Sequence, residues 1–585
     1  MTLLALALLT LPVGATIQVG PTRSTTQLSG LNQNNVNPGD VIEVDGDATY
    51  SAVRWTRSGT AAMPIVIRGL RVNGNRPRIM GGTNTLEVEA DHVIVEGFEL
   101  TGGSFRCFYH HGDQLVLRDS VVHGCAAHGI LGADQGSGSL LMEYVEVYAC
   151  GNGTSQHQVY MATDEVAHPG SVFRMQYCYL HDATGGNNVK SRAERNEIYF
   201  NWIEGAQYHE LELIGPDPNG AATGWSIDLR REDSDVVGNV LKKTATTFVA
   251  RIGGDATGWS KGRYRFVNNT IITVPGASAI WRLFDEIESV EMHNNVIVVN
   301  GAGAPNIMRA MAGTEMTWVG GTRRVAGSNN WTTTGATNTP TEWTGTLTGA
   351  NPGVVSIATN DPRLMAGSPL IDAANMNPMP FAGADFPNPL ALPTFQPPLR
   401  ALAPGMAQMR PVVGALDIGA FEFDTGAGGG GGATGGGGGS VTGGGGGATG
   451  GGTATGGGTA TGGGTATGGG TATGGGTATG GGTATGGGTA TGGGTATGGG
   501  TATGGGTATG GGSATGGGSM TGGGGGGEVG GGGGSTASGG GSATGGGGDD
   551  GTAAGSCGCS SFDGVFGLLA TLLIRRRRDR SRSRA

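Results

Sequence analysis

"NEIYFNWIE" (residues 196–204) is a strand pattern that recurs in eight places along the chain. In each copy apolar and polar residues alternate at the period of two that a strand requires, and the copy is bounded by Gly, Asp or Asn. The other copies are "HVIVEGFEL" (92–100), "QLVLRDSVV" (114–122), "LLMEYVEVY" (140–148), "FRMQYCYLH" (173–181), "DVVGNVLKK" (235–243), "YRFVNNTII" (264–272) and "VEMHNNVIV" (290–298). The positions aligned with Asn201 lie 22 to 38 residues apart and are Gly97, Asp119, Tyr144, Tyr177, Asn239, Asn269 and Asn295.

A second, shorter strand follows most copies, as in "HGILG", "HQVYMAT", "NNVKSR", "HELELIG", "WSIDLR", "TFVARI" and "IWRLF". A fixed strand core with a variable interval is typical of a parallel β-helix, in which stacked coils share one core and insertions form loops. A β-propeller is disfavoured because its blades need four strands over a nearly constant length. We therefore predict an all-β parallel β-helix, and the resemblance of these repeats to the pectate-lyase-like superfamily implies its right-handed, single-stranded form. We expect Asn201, Asn239, Asn269 and Asn295 to form an internal amide ladder.

Two cysteines occupy the same place in successive repeats. Cys125 lies six residues after Asp119, and Cys150 lies six residues after Tyr144. Neighbouring strands are about 4.8 Å apart, which a disulfide can span. We predict that Cys125 and Cys150 form a bridge or stack as thiols.

Composition divides the chain into five segments. An apolar run ending in small residues (1–15) is typical of a signal peptide. The β-helix is predicted over 16–320, and terminal coils with a further end segment over 321–424. Residues 425–555 are almost entirely Gly, Thr, Ala and Ser, with ten consecutive "TATGGG" units, which predicts a disordered stalk. Residues 556–585 combine a cysteine pair (Cys557, Cys559), a short apolar run and an arginine cluster.

Charge limits the classes of partner. The formal net charge is −10, although the tail after Ser556 carries seven arginines and two aspartates. A strongly acidic chain repels nucleic acid and anionic lipid, so we expect neither as a general partner. An anionic glycan would need a local basic patch.

Three resemblances follow from these motifs. The repeats over about 16–320, with the opening "ATIQVGPTRSTTQL", resemble the pectate-lyase-like β-helix superfamily. "DPRLMAGSPLIDAAN" (361–375) and "GALDIGAFEF" (414–423) resemble the end of the choice-of-anchor Q proteins, and 556–585 resembles the myxobacterial sorting signal MYXO-CTERM. The apolar segment 1–15 predicts secretion, and we expect a monomer. The two C-terminal resemblances imply attachment to the cell surface, at the outer membrane, near Cys557 and Cys559. They imply contact with the membrane only through the processed C-terminal signal.

The charged candidates lie on the shorter strands. Strand alternation predicts that Lys190, Glu212 and Asp228 point outward and stack in one column, with Arg192 and Arg230 beside it. Such a strand face can bind an extended polysaccharide. We also expect Tyr160, Arg192 and Glu210 to contact the glycan.

"NNVKSRAERNEIYFN" (187–201) resembles the lysine-bearing strand of polysaccharide lyase family six. The resemblance implies that Lys190 removes the proton next to a uronate carboxylate, that an arginine, here Arg230, protonates the leaving oxygen, and that calcium neutralises the substrate acid. The positions expected for calcium ligands are Gly185 and Ala183, so the sequence does not support a calcium site and identifies no other metal ligands.

Three alternatives stay open for this column. Glu212 and Asp228 on neighbouring coils are spaced like the carboxyl pair of a retaining glycosidase, about 5–5.5 Å apart. His209, next to Glu210, is a secondary acid/base candidate. The face could instead bind or adhere to glycan without catalysis, or be an ordinary column of solvent-facing ion pairs.

Overall fold

The computed structural model describes residues 14–217, 223–224, 226, 232–254, 260–284, 286–310, 318–384, 386–411 and 413–424. It also describes short strands between 433 and 521. In the first part of the chain, strands are stacked into three long parallel sheets, and each coil contributes in turn to the first, second and third sheet. The predicted parallel β-helix is confirmed.

The first sheet has thirteen strands: Thr16–Val19, Val41–Val44, Ile65–Gly69, Val93–Glu96, Leu115–Arg118, Leu140–Glu143, Val172–Gln176, Arg195–Tyr199, Asp233–Val237, Arg263–Val267, Ser289–His293, Val325–Ser328 and Trp343–Thr344. The second has twelve: Thr49–Ser51, Arg78–Met80, Glu99–Thr101, Val121–His123, Glu146–Tyr148, Tyr179–His181, Trp202–Glu204, Val240–Lys242, Thr270–Thr273, Val296–Val299, Trp331–Thr333 and Leu347–Gly349. The third has ten: Val53–Trp55, Asn84–Val88, Arg106–His110, His128–Gly132, Val159–Ala162, Val189–Arg192, Leu211–Ile214, Ala250–Gly253, Trp281–Leu283 and Met308–Ala310. Within the described residues, three short 3₁₀ helices lie at Leu28–Gly30, Gln33–Asn35 and Val319–Gly321.

The predicted asparagine ladder is present at the corner between the first and second sheets. The backbone N–H of Asn201 donates to Asn239 Oδ1 at 2.8 Å, that of Asn239 to Asn269 at 3.0 Å, and that of Asn269 to Asn295 at 3.0 Å. Asn330 extends the ladder by one coil. Buried backbone groups at this corner are thus bonded to side-chain amides.

The alignment of the four earlier repeats was wrong by one residue. Gly97, Asp119, Tyr144 and Tyr177 have positive φ, as do Phe200, Gly238, Asn268 and Asn294, so these are the corner-turning residues. The inward residue that follows each of them is the true equivalent of the ladder asparagine. In the early coils these residues are Phe98, Ser120, Val145 and Cys178, all buried.

The cysteine prediction is half correct. Cys125 is bonded to Cys107, with their Cα atoms 5.8 Å apart, so the expected Cys125–Cys150 bridge is wrong. Cys150 is a buried free thiol whose Sγ lies 2.9 Å from Cys125 Sγ, so the two cysteines stack, although Cys125 belongs to a disulfide and is not the second thiol that was expected. Burial raises the pKa of the Cys150 thiol to about 12.

The terminal coils end at Leu347–Gly349, and the chain then passes over the outer surfaces of the first two sheets. An antiparallel pair, Val354–Ser356 with Asp361–Leu364, begins this segment. Leu370, Ile418 and Phe421 pack on the outer side of the second sheet at its later coils. The centre of the Phe386 ring lies 3.6 Å from the guanidinium carbon of Arg265 on the first sheet. These contacts fall on the first and second sheets.

The Gly/Thr segment shows regular backbone pairing. After strands at Ala433–Gly435, Ser440–Thr442 and Gly447–Gly450, three-residue strands recur every six residues from Thr453–Thr455 to Ser519–Thr521, in two parallel sheets. These strands do not confirm the expected disordered stalk, which stays a prediction for the intervening glycines outside the described residues. Most of the predicted signal peptide and the whole segment 556–585, with Cys557 and Cys559, also lie outside them. No helix in the described part of the chain is long and apolar enough to cross a membrane.

Candidate functional site

One column of outward side chains on the third sheet collects most of its positive charge. The strand register places Tyr160, Lys190, Glu212, Arg251, Arg282 and Arg309 at successive positions. Residues on either side of them, such as Val189, Leu213 and Ile252, are buried in the core, so the column faces outward. We call Lys190, Glu212, Arg251, Arg282 and Arg309 the charged column.

The expected stacking of Asp228 on Glu212 was wrong. The coil after Glu212 contributes Arg251, because Ala250–Gly253 is the next strand of the third sheet. Residues 215–232 are an insertion between Leu211–Ile214 and Asp233–Val237, and Asp228 and Arg230 lie there, outside the described residues.

Glu212 is the second residue of the charged column and is held by three partners. Its Oε2 lies 3.7 Å from Lys190 Nζ, its Oε1 lies 2.6 Å from Arg251 Nη1, and Asn187 Nδ2 donates to Oε2. Burial by itself raises the pKa of Glu212, but Lys190 and Arg251 outweigh burial and hold the pKa at about 2. Glu212 is therefore ionised at any ordinary pH and is unsuited to donate a proton to a leaving group.

Lys190 is the amine that the column presents. Its Nζ lies 5.2 Å from the centre of the Tyr160 ring and next to the Glu212 carboxylate. Only the neutral amine of Lys190 could act as a base, since an ammonium group has no lone pair to accept a proton.

Two histidines beside the column are fixed as neutral hydrogen-bond donors. His128 Nδ1 accepts from the His157 N–H at 3.2 Å, and His157 Nδ1 accepts from the Asn187 N–H at 3.0 Å. The neutral rings must therefore carry their protons on Nε2. Burial lowers the pKa of His128 to about 4 and that of His157 to about 3. The His157 ring lies edge-on to Tyr160 at 5.5 Å, so it belongs to the same site.

Tyr160 and Arg192 interact with each other. Arg192 Nε donates to the Tyr160 hydroxyl at 3.0 Å, and Arg192 Nη1 donates to the Gly215 carbonyl. Arg192 is 4 % exposed, so it supports Tyr160 and the strand end and offers little surface to a glycan. Tyr160 lies beside Lys190, and its contact with a glycan stays a prediction.

Glu210 and His209 do not have the predicted roles. Glu210 is fully buried and accepts hydrogen bonds from the Ala206 N–H, Asn188 and Lys243, and burial raises its pKa to about 7. His209 is also fully buried, its Nδ1 lies 3.1 Å from Asn187 Oδ1, and burial lowers its pKa to about 3. Glu210 therefore cannot contact a substrate. His209 is not accessible as an acid or a base.

A local break in strand alternation explains these errors. Asn188 and Val189 are both buried, as are Glu210 and Leu211, so two consecutive side chains turn inward before each strand of the site. Asn187 Nδ2 donates to Glu212, a contact that simple alternation does not predict.

The other missed residues are Arg251, Arg282, Arg309, His128 and His157. The sequence did contain a signal for the arginines. Each coil has one ladder position and one strand of the third sheet, yet the interval from Asn201 to Asn239 contains both "HELELIG" and "WSIDLR". Treating "WSIDLR" as an insertion brings "TFVARI" and "IWRLF" into register and aligns their arginines with Glu212.

The structure does not add a calcium site at Lys190. Glu212, the carboxylate beside it, is already neutralised by two cations. Farther along the same sheet, ligand atoms of Glu87, Glu89 and His111 lie within 4.8 Å of one another. Arg54 pairs with both of those carboxylates and supplies the positive charge that a metal ion would bring.

Acid should destabilise the fold through its buried histidines. Burial lowers the pKa of His110 and His128 to about 4, and that of His157 and His209 to about 3. Unfolding below about pH 6.5 therefore takes up four protons, while Glu210, with its folded pKa raised to about 7, releases one. We expect a net uptake of about three protons, so stability falls as the pH drops from 6.5 towards 4.5.

Urea unfolding measured over that pH range tests this expectation. The variant His157→Gln should lose about one proton of the uptake. If the urea midpoint did not change between pH 6.5 and pH 5, the conclusion that the four buried histidines are neutral in the folded protein would be wrong.

Comparison with known proteins gives only distant matches. No protein-family model and no curated protein matches the chain. Among solved structures, pectate lyase Pel9A has a TM-score of 0.44 and 12 % identity, covering 71 % of this chain and 98 % of that one. An alginate lyase from Paenibacillus sp. str. FPU-7 has a TM-score of 0.32 and 15 % identity, covering 57 % and 98 %. A GH136 lacto-N-biosidase from Eubacterium ramulus has a TM-score of 0.37 and 10 % identity, covering 54 % and 67 %. Similarities this distant carry no argument about activity.

Proposed function

We propose that the third sheet binds an acidic extracellular polysaccharide along the charged column and that Lys190 cleaves it by β-elimination. The observation that supports the binding is the composition of the column: four cations and one carboxylate at five consecutive positions of an otherwise acidic protein. At about 4.8 Å per coil the five positions extend over about 19 Å, long enough for several sugars of an extended chain.

In this proposal the arginines bind and polarise the uronate. A guanidinium pairs with a carboxylate through two parallel hydrogen bonds, and this pairing withdraws charge from the adjacent carbon. Arg251 and Arg282 are placed to do so one and two coils from Glu212.

Lys190 then supplies the base. Among the described side chains of the column it is the one that can accept a proton, since the arginines stay charged and Glu212 is a very weak base. The C–H bond next to the carboxylate breaks and its proton passes to Lys190. The electron pair forms the C=C bond, the glycosidic C–O bond breaks, and the leaving oxygen takes a proton from water.

The geometry gives less support to the hydrolase alternative. It needs one carboxyl group that keeps its proton, and Glu212 is ionised. Its expected partner Asp228 is replaced at the next position of the column by Arg251. Binding without cleavage is the alternative that the experiments below distinguish.

Reversing the charge of Arg282 should weaken binding of polygalacturonate or alginate. We expect the Arg282→Glu variant to bind at least about tenfold more weakly at low salt, with a smaller difference at high salt because screening shortens the range of the interaction. Titration calorimetry at two salt concentrations measures this. Arg68→Glu makes the same charge change on the first sheet and should leave affinity unchanged; an equal loss in both variants would contradict the column as the site.

We also propose that the protein is secreted and attached to the cell surface through its C-terminal segment. The apolar residues 1–15 and the Cys557/Cys559 pair before the arginine cluster support this proposal. Digestion of intact cells with an added protease tests this proposal. If the protease degrades the protein only after the cells are lysed, the protein is not on the surface.

A further inference from the structure

A cavity of about 600 Å³ opens on the outer face of the second sheet, a different face from the charged column. Its volume is in the range of small-molecule sites. The cavity is formed by the early coils of the second sheet and by the loop of residues 70–77. The C-terminal segment packs on the later coils of this sheet, at Trp202, Val240 and Trp331.

The floor and wall of the cavity are held in place by internal bonds. Strand register lines up Thr49, Arg78, Glu99, Val121 and Glu146 as the floor. In the wall, Asn73 and Asn75 each donate to the Asp47 carboxylate at 2.9 Å, and Arg76 bonds to Asp119. The site is therefore organised before any ligand binds, which lowers the entropic cost of binding.

The lining is balanced in charge. The lining contains three arginines (Arg71, Arg76, Arg78) and three carboxylates (Asp47, Glu99, Glu146). Arg78 Nε and His123 Nε2 both bond to Glu99 Oε1, at 2.8 and 2.9 Å. The carboxylates would repel a polyanion. An apolar ligand would contact few apolar residues beyond Ala48 and Val121. The lining therefore favours a neutral, strongly hydrogen-bonding ligand.

Several polar groups at the cavity keep unused hydrogen-bonding capacity. In the described part of the chain, the Arg78 Nη atoms, the Tyr148 hydroxyl and the second carboxylate oxygen of Glu146 have no hydrogen-bond partner. Tyr148 is held rigidly between the rings of His123 and His181, at 4.8 and 5.1 Å. A sugar hydroxyl both donates and accepts a hydrogen bond. Donors and acceptors that lie side by side on rigid planar side chains can therefore bond to two hydroxyls on neighbouring sugar carbons.

We propose that this cavity is a second saccharide site, specific for a neutral oligosaccharide. The site does not depend on the proposed function of the third sheet. It would let one β-helix contact two glycans, an acidic chain on the third sheet and a neutral one on the second.

Calorimetric titration of the full-length protein with cellohexaose, xylohexaose and mannohexaose tests the proposal. We expect one of these probes to bind, Arg78→Ala to weaken its binding at least about tenfold, and Tyr148→Phe to weaken it less, because the latter removes one hydroxyl and keeps the ring stack. Arg78 is half-exposed, and a matching urea midpoint will show that its variant is folded. Lys190→Ala is the control and should bind the neutral probe as the unchanged protein does.

The proposal would be overturned by no binding of any of the three probes, or by equal binding by the unchanged protein and the Arg78→Ala variant. A neutral probe that is lost in Lys190→Ala would place the sugar on the third sheet and also overturn it. Failure of polygalacturonate to bind would leave this result unaffected, so the two sites are tested separately.

Discussion

The Lys190→Ala variant is expected to lose elimination activity by a factor of about 10²–10⁴, the usual contribution of a positioned general base. Its affinity for the acidic glycan should fall far less, because Arg251, Arg282 and Arg309 remain.

The Lys190→Arg variant is the matched control for charge. It keeps a cation beside Glu212 and Tyr160, but a guanidinium cannot serve as a base. Both variants should therefore be inactive while Lys190→Arg retains the affinity of the unchanged protein. Full turnover by either variant would remove Lys190 from the chemistry.

Replacing Asn239 with alanine should destabilise the β-helix by about 3 kcal/mol or more. The side chain accepts from Asn201 N and Asn201 Nδ2 and donates to the Ile198 carbonyl, all in a fully buried corner. Alanine removes these bonds and leaves the Asn201 N–H without its partner. Equilibrium unfolding in urea measures the change in the free energy of unfolding.

Asn34→Ala is the control for this measurement, because Asn34 is exposed and lies outside the ladder. We expect its free energy of unfolding to stay within about 0.5 kcal/mol of the unchanged protein. If Asn239→Ala also stayed within that range, the ladder would contribute nothing measurable to stability.

The fold could be predicted because its signal is repeated. Alternation in eight segments indicated the strand core, and four asparagines at equivalent places gave the ladder, which the structure confirms and extends to Asn330. The one-residue error in the earlier coils arose because those coils have no asparagine at the ladder position. A turn residue with positive φ, such as Asp119 or Tyr144, was aligned in its place.

The site could be predicted only in part, because it depends on which strands are neighbours. Lys190 and Glu212 were correctly placed as outward neighbours, since local alternation determines that they face outward. Arg251 was missed because an insertion containing "WSIDLR" separates it from Glu212 in sequence, and only hydrogen-bonded register makes the two adjacent. Glu210 and His209 were misplaced because two consecutive residues turn inward before the strand, and no composition rule marks that break.

The most direct test of the account is to incubate the full-length protein with polygalacturonate, alginate and chondroitin, and with neutral glycans. The ultraviolet absorbance of unsaturated uronates and the appearance of new reducing ends are followed together. We expect the absorbance and the number of reducing ends to rise in parallel with one uronate polymer, and we expect both increases to be lost in Lys190→Ala. New reducing ends without absorbance, or no cleavage of any uronate by the folded protein, would contradict the assignment of Lys190 as an eliminating base.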